Sequence, residues 1–137
     1  MAVEFKDYSI TVIGKMNDKA VAFLEEAKSA LASQASRNSP VKSGDLKRSF
    51  QTDSLVDESE LTAYIGSSVE YAIWQEMGTG EYAVEGNGRK GGWCYKDAET
   101  GETVFTRGTR PKRMLYHAFL QKRDAVKARG KKIFGEI

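Results

Sequence analysis

A chain of 137 residues with 40% hydrophobic and 29% charged side chains is one domain's worth of ordinary soluble protein, long enough to bury a single real core without staples. The lone cysteine, Cys94, excludes an intrachain disulfide framework and a Cys-rich zinc module. No apolar run approaches the roughly 18–20 residues that span a bilayer, and the opening MAVEFKDYSITVIG lacks the basic-then-apolar order of a signal peptide. The net charge of +2 hides an asymmetry, because residues 107–137 carry +8 and residues 1–106 carry −6.

Residues 8–13 (YSITVI) are rich in β-branched and aromatic side chains and suit a short strand or an arm, with Gly14 ending it. From Asn17 or Asp18 the pattern turns helical. Met16, Ala20, Phe23, Leu24, Ala27, Leu31 and Ala35 recur at spacings of three and four, and Glu25, Glu26, Lys28, Ser29 and Ser33 occupy the opposite face. This predicts an amphipathic helix over roughly 17–37, which Pro40 stops.

Beyond Pro40, Ser43-Gly44 reads as a turn into a strand over 46–54. The acidic turn DESE at 57–60 then leads to a second strand at 61–67, where Leu61, Ala63 and Ile65 alternate with Thr62 and Tyr64. Residues 70–77 predict a short helix carrying Tyr71, Trp74 and Met77, with Gly78 as its C-terminal cap. Tyr71 and Trp74 read as core anchors first and interface residues second.

The Gly-studded stretch 78–92 has no period and reads as a mobile loop, since ordering many glycines costs backbone entropy. Residues 93–97 and 102–106 predict a β-hairpin. Pro111 then opens a second amphipathic helix, with Met114, Leu115, Ala118, Phe119 and Val126 forming its stripe to about residue 129. A basic tail occupies 130–137. These elements predict a single α+β domain over 1–137: a small, mainly antiparallel sheet of 46–54, 61–67, 93–97 and 102–106 covered by the two long helices.

The supply of reaction chemistry is thin. His117 is the only histidine and falls in the C-terminal helical pattern, where it reads as a half-buried or surface residue. Cys94, between Trp93 and Tyr95, reads as a strand residue rather than a nucleophile. The 78–92 stretch lacks the GK[ST] ending of a phosphate loop. Catalytic, cofactor-binding and metal residues are accordingly expected to be none. The basic set Arg107, Arg110, Lys112, Arg113, Lys122, Arg123, Lys127, Arg129, Lys131 and Lys132 lies beside the aromatic Trp93, Tyr95 and Phe105. Two readings stay open: a solvated helix that meets an acidic partner, or a DNA-binding domain built on the basic C-terminal helix.

Three segments resemble one family in order and spacing. Pro40, Val41, Ser43, Gly44, Leu46 and Ser49 stand in a P-V-x-[ST]-G-x-L-x-x-S register. Tyr71, Ala72, Glu76, Gly78, Thr79 and Gly80 match Y-A-x-x-x-E-x-G-T-G. Gly86 to Lys90, Trp93, Thr106, Gly108 and Arg110 to Leu115 follow. This pattern is similar to the small head-tail joining, or tail-completion, proteins of long-tailed bacteriophages and prophages, over about residues 15–120.

The resemblance implies a structural virion component of the neck with no enzymatic activity and no cofactor. It implies a homo-oligomeric ring, with a hexamer following the tail's six-fold axis. Its partners would be the tail tube or terminator and head connector proteins, with contact to genomic DNA in the channel and none to membrane. It implies a place in the virion neck or tail, reached from the host bacterial cytoplasm during assembly. Subunit or partner contacts are expected at Trp93, Tyr95, Phe105, Arg89, Lys90, Arg107, Arg110, Lys112 and Arg113. Structural motif positions are Pro40, Gly44, Leu46, Tyr71, Trp74, Gly78, Gly80 and Pro111.

Overall fold

The apolar stripe of the first helix organises most of the chain. In the structure, a computed structural model describing residues 2–6, 8–13, 18–40 and 44–135, α1 spans Asp18–Asn38. Gly14, Met16, Asn17, Val41 and Ser43 lie outside the described residues. Contacts group the chain into two compact units, one of Met1–Val69 with Met114–Ile137 and one of Glu70–Arg113.

In the first unit, strands β1 (Ala2–Lys6), β2 (Ser9–Ile13), β3 (Leu55–Asp57) and β4 (Thr62–Tyr64) form an antiparallel sheet in the order β1-β2-β4-β3. Register pairs Phe5 with Ile10, Ile10 with Ala63 and Val56 with Ala63, so these residues share one face. That face meets Phe23, Leu24, Ala27 and Leu31 of α1. The opposite face carries Glu4, Ser9, Thr11, Thr62 and Tyr64, with the Thr11 and Thr62 hydroxyls bonded at 2.9 Å. The strand expected at 8–13 is therefore β2, and its partner β1 escaped the sequence reading.

The long C-terminal helix, α4, runs over Met114–Phe134. It packs antiparallel to α1. Phe23 near the start of α1 meets Phe134 edge-on at 5.4 Å between ring centroids, while Asn38 at the end of α1 donates to the Met114 carbonyl at 3.2 Å. Phe119 and Val126 complete the core from this side. The helix starts three residues beyond Pro111 and continues past the expected end at 129, because Gly130 is buried and Ile133 and Phe134 still find apolar partners.

One expected strand is a helix. Residues Gly44–Asp53 form α2, which buries Leu46, Ser49 and Phe50 and exposes Arg48. The spacing of Leu46, Ser49 and Phe50 is i, i+3, i+4, a helical repeat; a strand would have placed Arg48 on the same face as Leu46 and Phe50. Asp45 sits in the first turn, where the helix dipole favours an acid, and pairs with Arg48. Gly44 thus opens a helix, and Pro40 separates α1 from it. Ser49 bonds the Leu46 carbonyl at 2.6 Å and also the Ser67 hydroxyl, tying α2 to the segment after β4. The antiparallel partner of the 61–67 strand is β3, joined to β4 by a turn in which Asp57 accepts from the Ser59 and Glu60 amides.

Two outcomes follow for this unit. Leu46→Ala, at a fully buried position, lowers unfolding free energy by about 2–5 kcal/mol in chemical denaturation, whereas Arg48→Ala stays within about 0.5 kcal/mol. Ser68 donates its backbone N–H and its hydroxyl to the Asp53 carboxylate, at 2.9 and 2.8 Å, and holds it below the ordinary aspartate range. A lowered folded-state value stabilises the fold above the unfolded value of about 3.9 and is lost as pH falls through the folded one. Asp53→Asn therefore flattens the acid limb of a stability–pH profile below about pH 4, while the profile above it keeps its shape.

Candidate interaction surface

The second unit is built where glycine lets two backbone segments touch. Helix α3 (Ala72–Met77) ends at Gly78, whose φ of 76° and N–H bonded to the Trp74 carbonyl at 2.8 Å make it the cap that the sequence predicts. Thr79 and Glu81 then donate to the carbonyls of Thr109 and Arg107, both at 2.9 Å, and the Thr109 amide returns a bond to the Thr79 hydroxyl at 2.8 Å. Gly80 has φ of 61°, and a Cβ there would run into the Arg107 carbonyl. The G-T-G motif is thus a backbone lock on residues 107–109.

That lock changes the reading of 78–92. Gly80–Tyr82 forms a 3-10 turn, Val84 donates to the Met77 carbonyl at 2.9 Å and the Gly91 amide reaches the Glu81 carboxylate at 3.2 Å. These backbone and carboxylate contacts run through the stretch although it has no apolar period.

The hairpin forms as expected, from β5 (Trp93–Lys96) and β6 (Thr103–Thr106). It is a separate two-stranded sheet rather than a continuation of the four-stranded one. The Asp97 carboxylate accepts from the Glu99 amide at 2.8 Å, and Gly101 takes φ of 74° to close the tip. Tyr95 is 46% exposed and Phe105 58%.

The expected contact residues fall into local pairs. Arg89 lies over the Trp93 ring at 5.4 Å, Arg107 over Phe105 at 5.9 Å and Arg110 over Tyr82 at 4.6 Å. Arg107 also meets Glu81 at 3.1 Å. Lys90 and Lys112 are exposed, the latter through its side chain alone because its amide bonds the Gln75 carbonyl at 2.6 Å. Arg113 is half-buried with φ of 52°, and its Nε lies 3.9 Å from the buried Glu76 carboxylate. Pro111 packs beside Gly78 rather than opening a helix.

Glu76 is the residue whose role the sequence reading missed. In the sequence it is a motif position only, and nothing near it marks it as the buried partner of Arg113, 37 residues further on. Trp74 corrects a second expectation: it is 57% exposed, and Ile73 beside it is more so, so α3 presents its largest apolar side chains outward while Tyr71 is half-buried. Ile73 and Trp74, with Met77, Ala83 and Val84, line an open groove of about 350 Å³. A six-residue helix is too short to bury every face, and the i, i+3 spacing of Tyr71 and Trp74 does not reveal which side meets the core.

The C-terminal basic residues divide likewise. Arg129 pairs with Glu26 at 3.0 Å, and Arg123 and Lys127 lie over the Phe5 ring at 5.7 and 5.6 Å. His117 and Cys94 are exposed on α4 and β5. Among the described residues no cluster of three or more His, Cys, Asp or Glu side chains is placed to hold a metal ion. No described helix is long and apolar enough to cross a membrane.

Exposed aromatics and cations held on short, backbone-locked elements make a surface of the kind that binds other macromolecules. A family model described as "Bacteriophage HK97-gp10, putative tail-component" matches residues 6–78, more than half of the sequence, and the chain belongs to this HK97-gp10-like family of phage tail components. The family is a structural class, not an enzyme class. Its matched segment takes in α1, α2, the sheet from Lys6 onward and α3 with Gly78. No curated protein and no solved structure gives a significant match.

The lock has a direct test. Gly80→Ala forces a side chain into a positive-φ site, costing about 1–3 kcal/mol from backbone strain alone, and adds a clash with the Arg107 carbonyl. Amide exchange at Thr79 and Glu81 accelerates in this variant. Gly66→Ala, where a Cβ meets open space, leaves those amides protected.

Proposed function

We propose that this tail component acts in the neck of the virion, completing the tail and joining it to the DNA-filled head as a ring of identical copies. Family membership supports a place in the particle, and the observation that carries the finer reading is the hairpin. A two-stranded ribbon is marginal in water by itself, and this one shows an aromatic on each face with an acidic tip. Such an element gains stability by lying against a neighbour. A ring that follows the tail's six-fold axis requires head-to-tail contacts in which one patch meets a different patch on the next copy. The strongly basic α4 and the acidic tip are two such patches.

The mechanism is shape and charge complementarity, with no bond made or broken. The sheet, α1 and α4 share one core, and exposed aromatics lie both on the 70–113 unit, at Trp74, Tyr95 and Phe105, and on α4, at Tyr116. The alternative of a DNA-binding C-terminal helix has weaker support, because Arg129 is held by Glu26 and the cations are spread around α4.

The test is genetic and visual. Phage lacking this chain should yield filled heads and separate tails that do not join, and supplying the purified protein should restore joined particles. Normal joined particles in its absence would sink the reading.

A further inference from the structure

Hairpin and α4 each carry an apolar patch beside a charged one, in matching order. On the hairpin, register places Tyr95 opposite Val104, and the chain continues to Asp97, whose amide bonds the Glu102 carbonyl at 2.8 Å. Alternation puts Tyr95, Val104, Asp97 and Glu102 on one face, with Glu99 at the tip. Two residues of strand separate the apolar pair from the acidic pair, about 7 Å.

On α4, Tyr116, Leu120, Arg123, Lys127 and Lys131 follow one another at i, i+4, i+7, i+11 and i+15. At 100° per residue these positions form one continuous stripe. All five are exposed, Tyr116 by 45% and Leu120 by 54%. Arg123 and Lys127 follow Leu120 by about 5 and 10 Å along the axis, which brackets the spacing on the ribbon. Their cationic ends rest over Phe5, so their stems are already placed and less side-chain entropy is lost on binding. Asp124 is the only acid in the helix.

We propose that the occupant of this stripe is a second copy of the chain: the Tyr95–Val104 face of one hairpin lies along α4 of the next copy. Tyr95 and Val104 cover Tyr116 and Leu120, and the acidic tip meets Arg123, Lys127 and Lys131. The two patches differ, so the contact is head-to-tail and repeats around a ring. This rests on the ring reading above and names the surfaces that would build it.

The experiment uses the full chain. Tyr95→Cys on one tagged copy and Leu120→Cys on a differently tagged copy, both carrying Cys94→Ser, are mixed and mildly oxidised. A disulfide joining the two tags is the expected product. In parallel, Glu99→Lys with Glu102→Lys on one variant, or Lys127→Glu with Lys131→Glu on the other, weakens self-association by about tenfold or more. Mixing the two variants restores it, since reversed tip then meets reversed helix and native tip meets native helix. Rising salt weakens the unmodified contact.

Rings that form undiminished in both charge variants, or a cross-link found only within one chain, would overturn the proposal while leaving the ring reading intact. A chain that stays monomeric yet still restores head-tail joining overturns the proposal and the ring, and leaves the tail-component role standing. Loss of joining activity in the charge variants without loss of self-association also overturns it, by assigning those charges to another partner.

Discussion

The first unit depends on one constraint: α1 must bury a stripe wide enough to serve two neighbours at once. Phe23, Leu24, Ala27 and Leu31 belong to a core that also draws on Ile10 and Ala63 from the sheet and on Phe119 and Val126 from α4. Small and bulky residues are mixed along that stripe, from Ala20, Phe23 and Leu24 to Ala27 and Leu31, and Phe23 also reaches Phe134 of α4. The 44 residues of the second unit separate the two halves of this unit in sequence, yet those halves share one core. The family match covers its N-terminal half, so within residues 6–78 the family pattern defines the surface on which α4 packs.

In the second unit the constraint is different in kind. There is little aliphatic core, and order comes from backbone meeting backbone, where the segment at 78–81 bonds to 107 and 109 across Gly80. Large side chains are left over for the surface: Trp74 and Ile73 on α3, Tyr95 and Phe105 on the ribbon. Arg107 stacked on Phe105, with Arg89 over Trp93 and Arg110 over Tyr82 nearby, makes parts of this surface amphipathic.

How much of this was legible depends on the length of the pattern. Twenty-one residues of α1 repeat a stripe many times over, and Leu61, Ala63 and Ile65 alternate cleanly, so those elements can be read from sequence. Ten residues of α2 offer three apolar-face positions, one of them Ser49, and a preceding Ser-Gly pulled the reading toward a turn and strand. β1 is an edge strand whose Glu4 and Phe5 alternate only briefly, and pairing with β2 decides its form. Glu76 was legible as a motif position and illegible as a buried acid, because its partner Arg113 is 37 residues away in sequence. Gly80 carried its meaning in plain view, but the segment it touches, at Arg107, lies 27 residues further along the chain.

The same distinction explains why the surface is harder to read than the core. A core residue is specified by its own chain's periodicity, whereas Tyr95, Phe105, Tyr116 and Leu120 look like ordinary apolar residues until burial shows how much of each stays exposed. The basic excess at the C-terminus is likewise ambiguous as a count. Arg129 pairs with Glu26 and, with Lys122 and Lys132, lies away from the side of α4 where Arg123, Lys127 and Lys131 form a stripe beside two exposed apolar residues, Arg123 and Lys127 already resting over Phe5. A diffuse field suits a polyanion of any sequence; a stripe with an apolar end requires a partner that is acidic at one end and apolar at the other. Within this chain the hairpin face has that composition, and because it sits on a different element from the stripe, the contact between copies proposed above would propagate rather than stop at a pair.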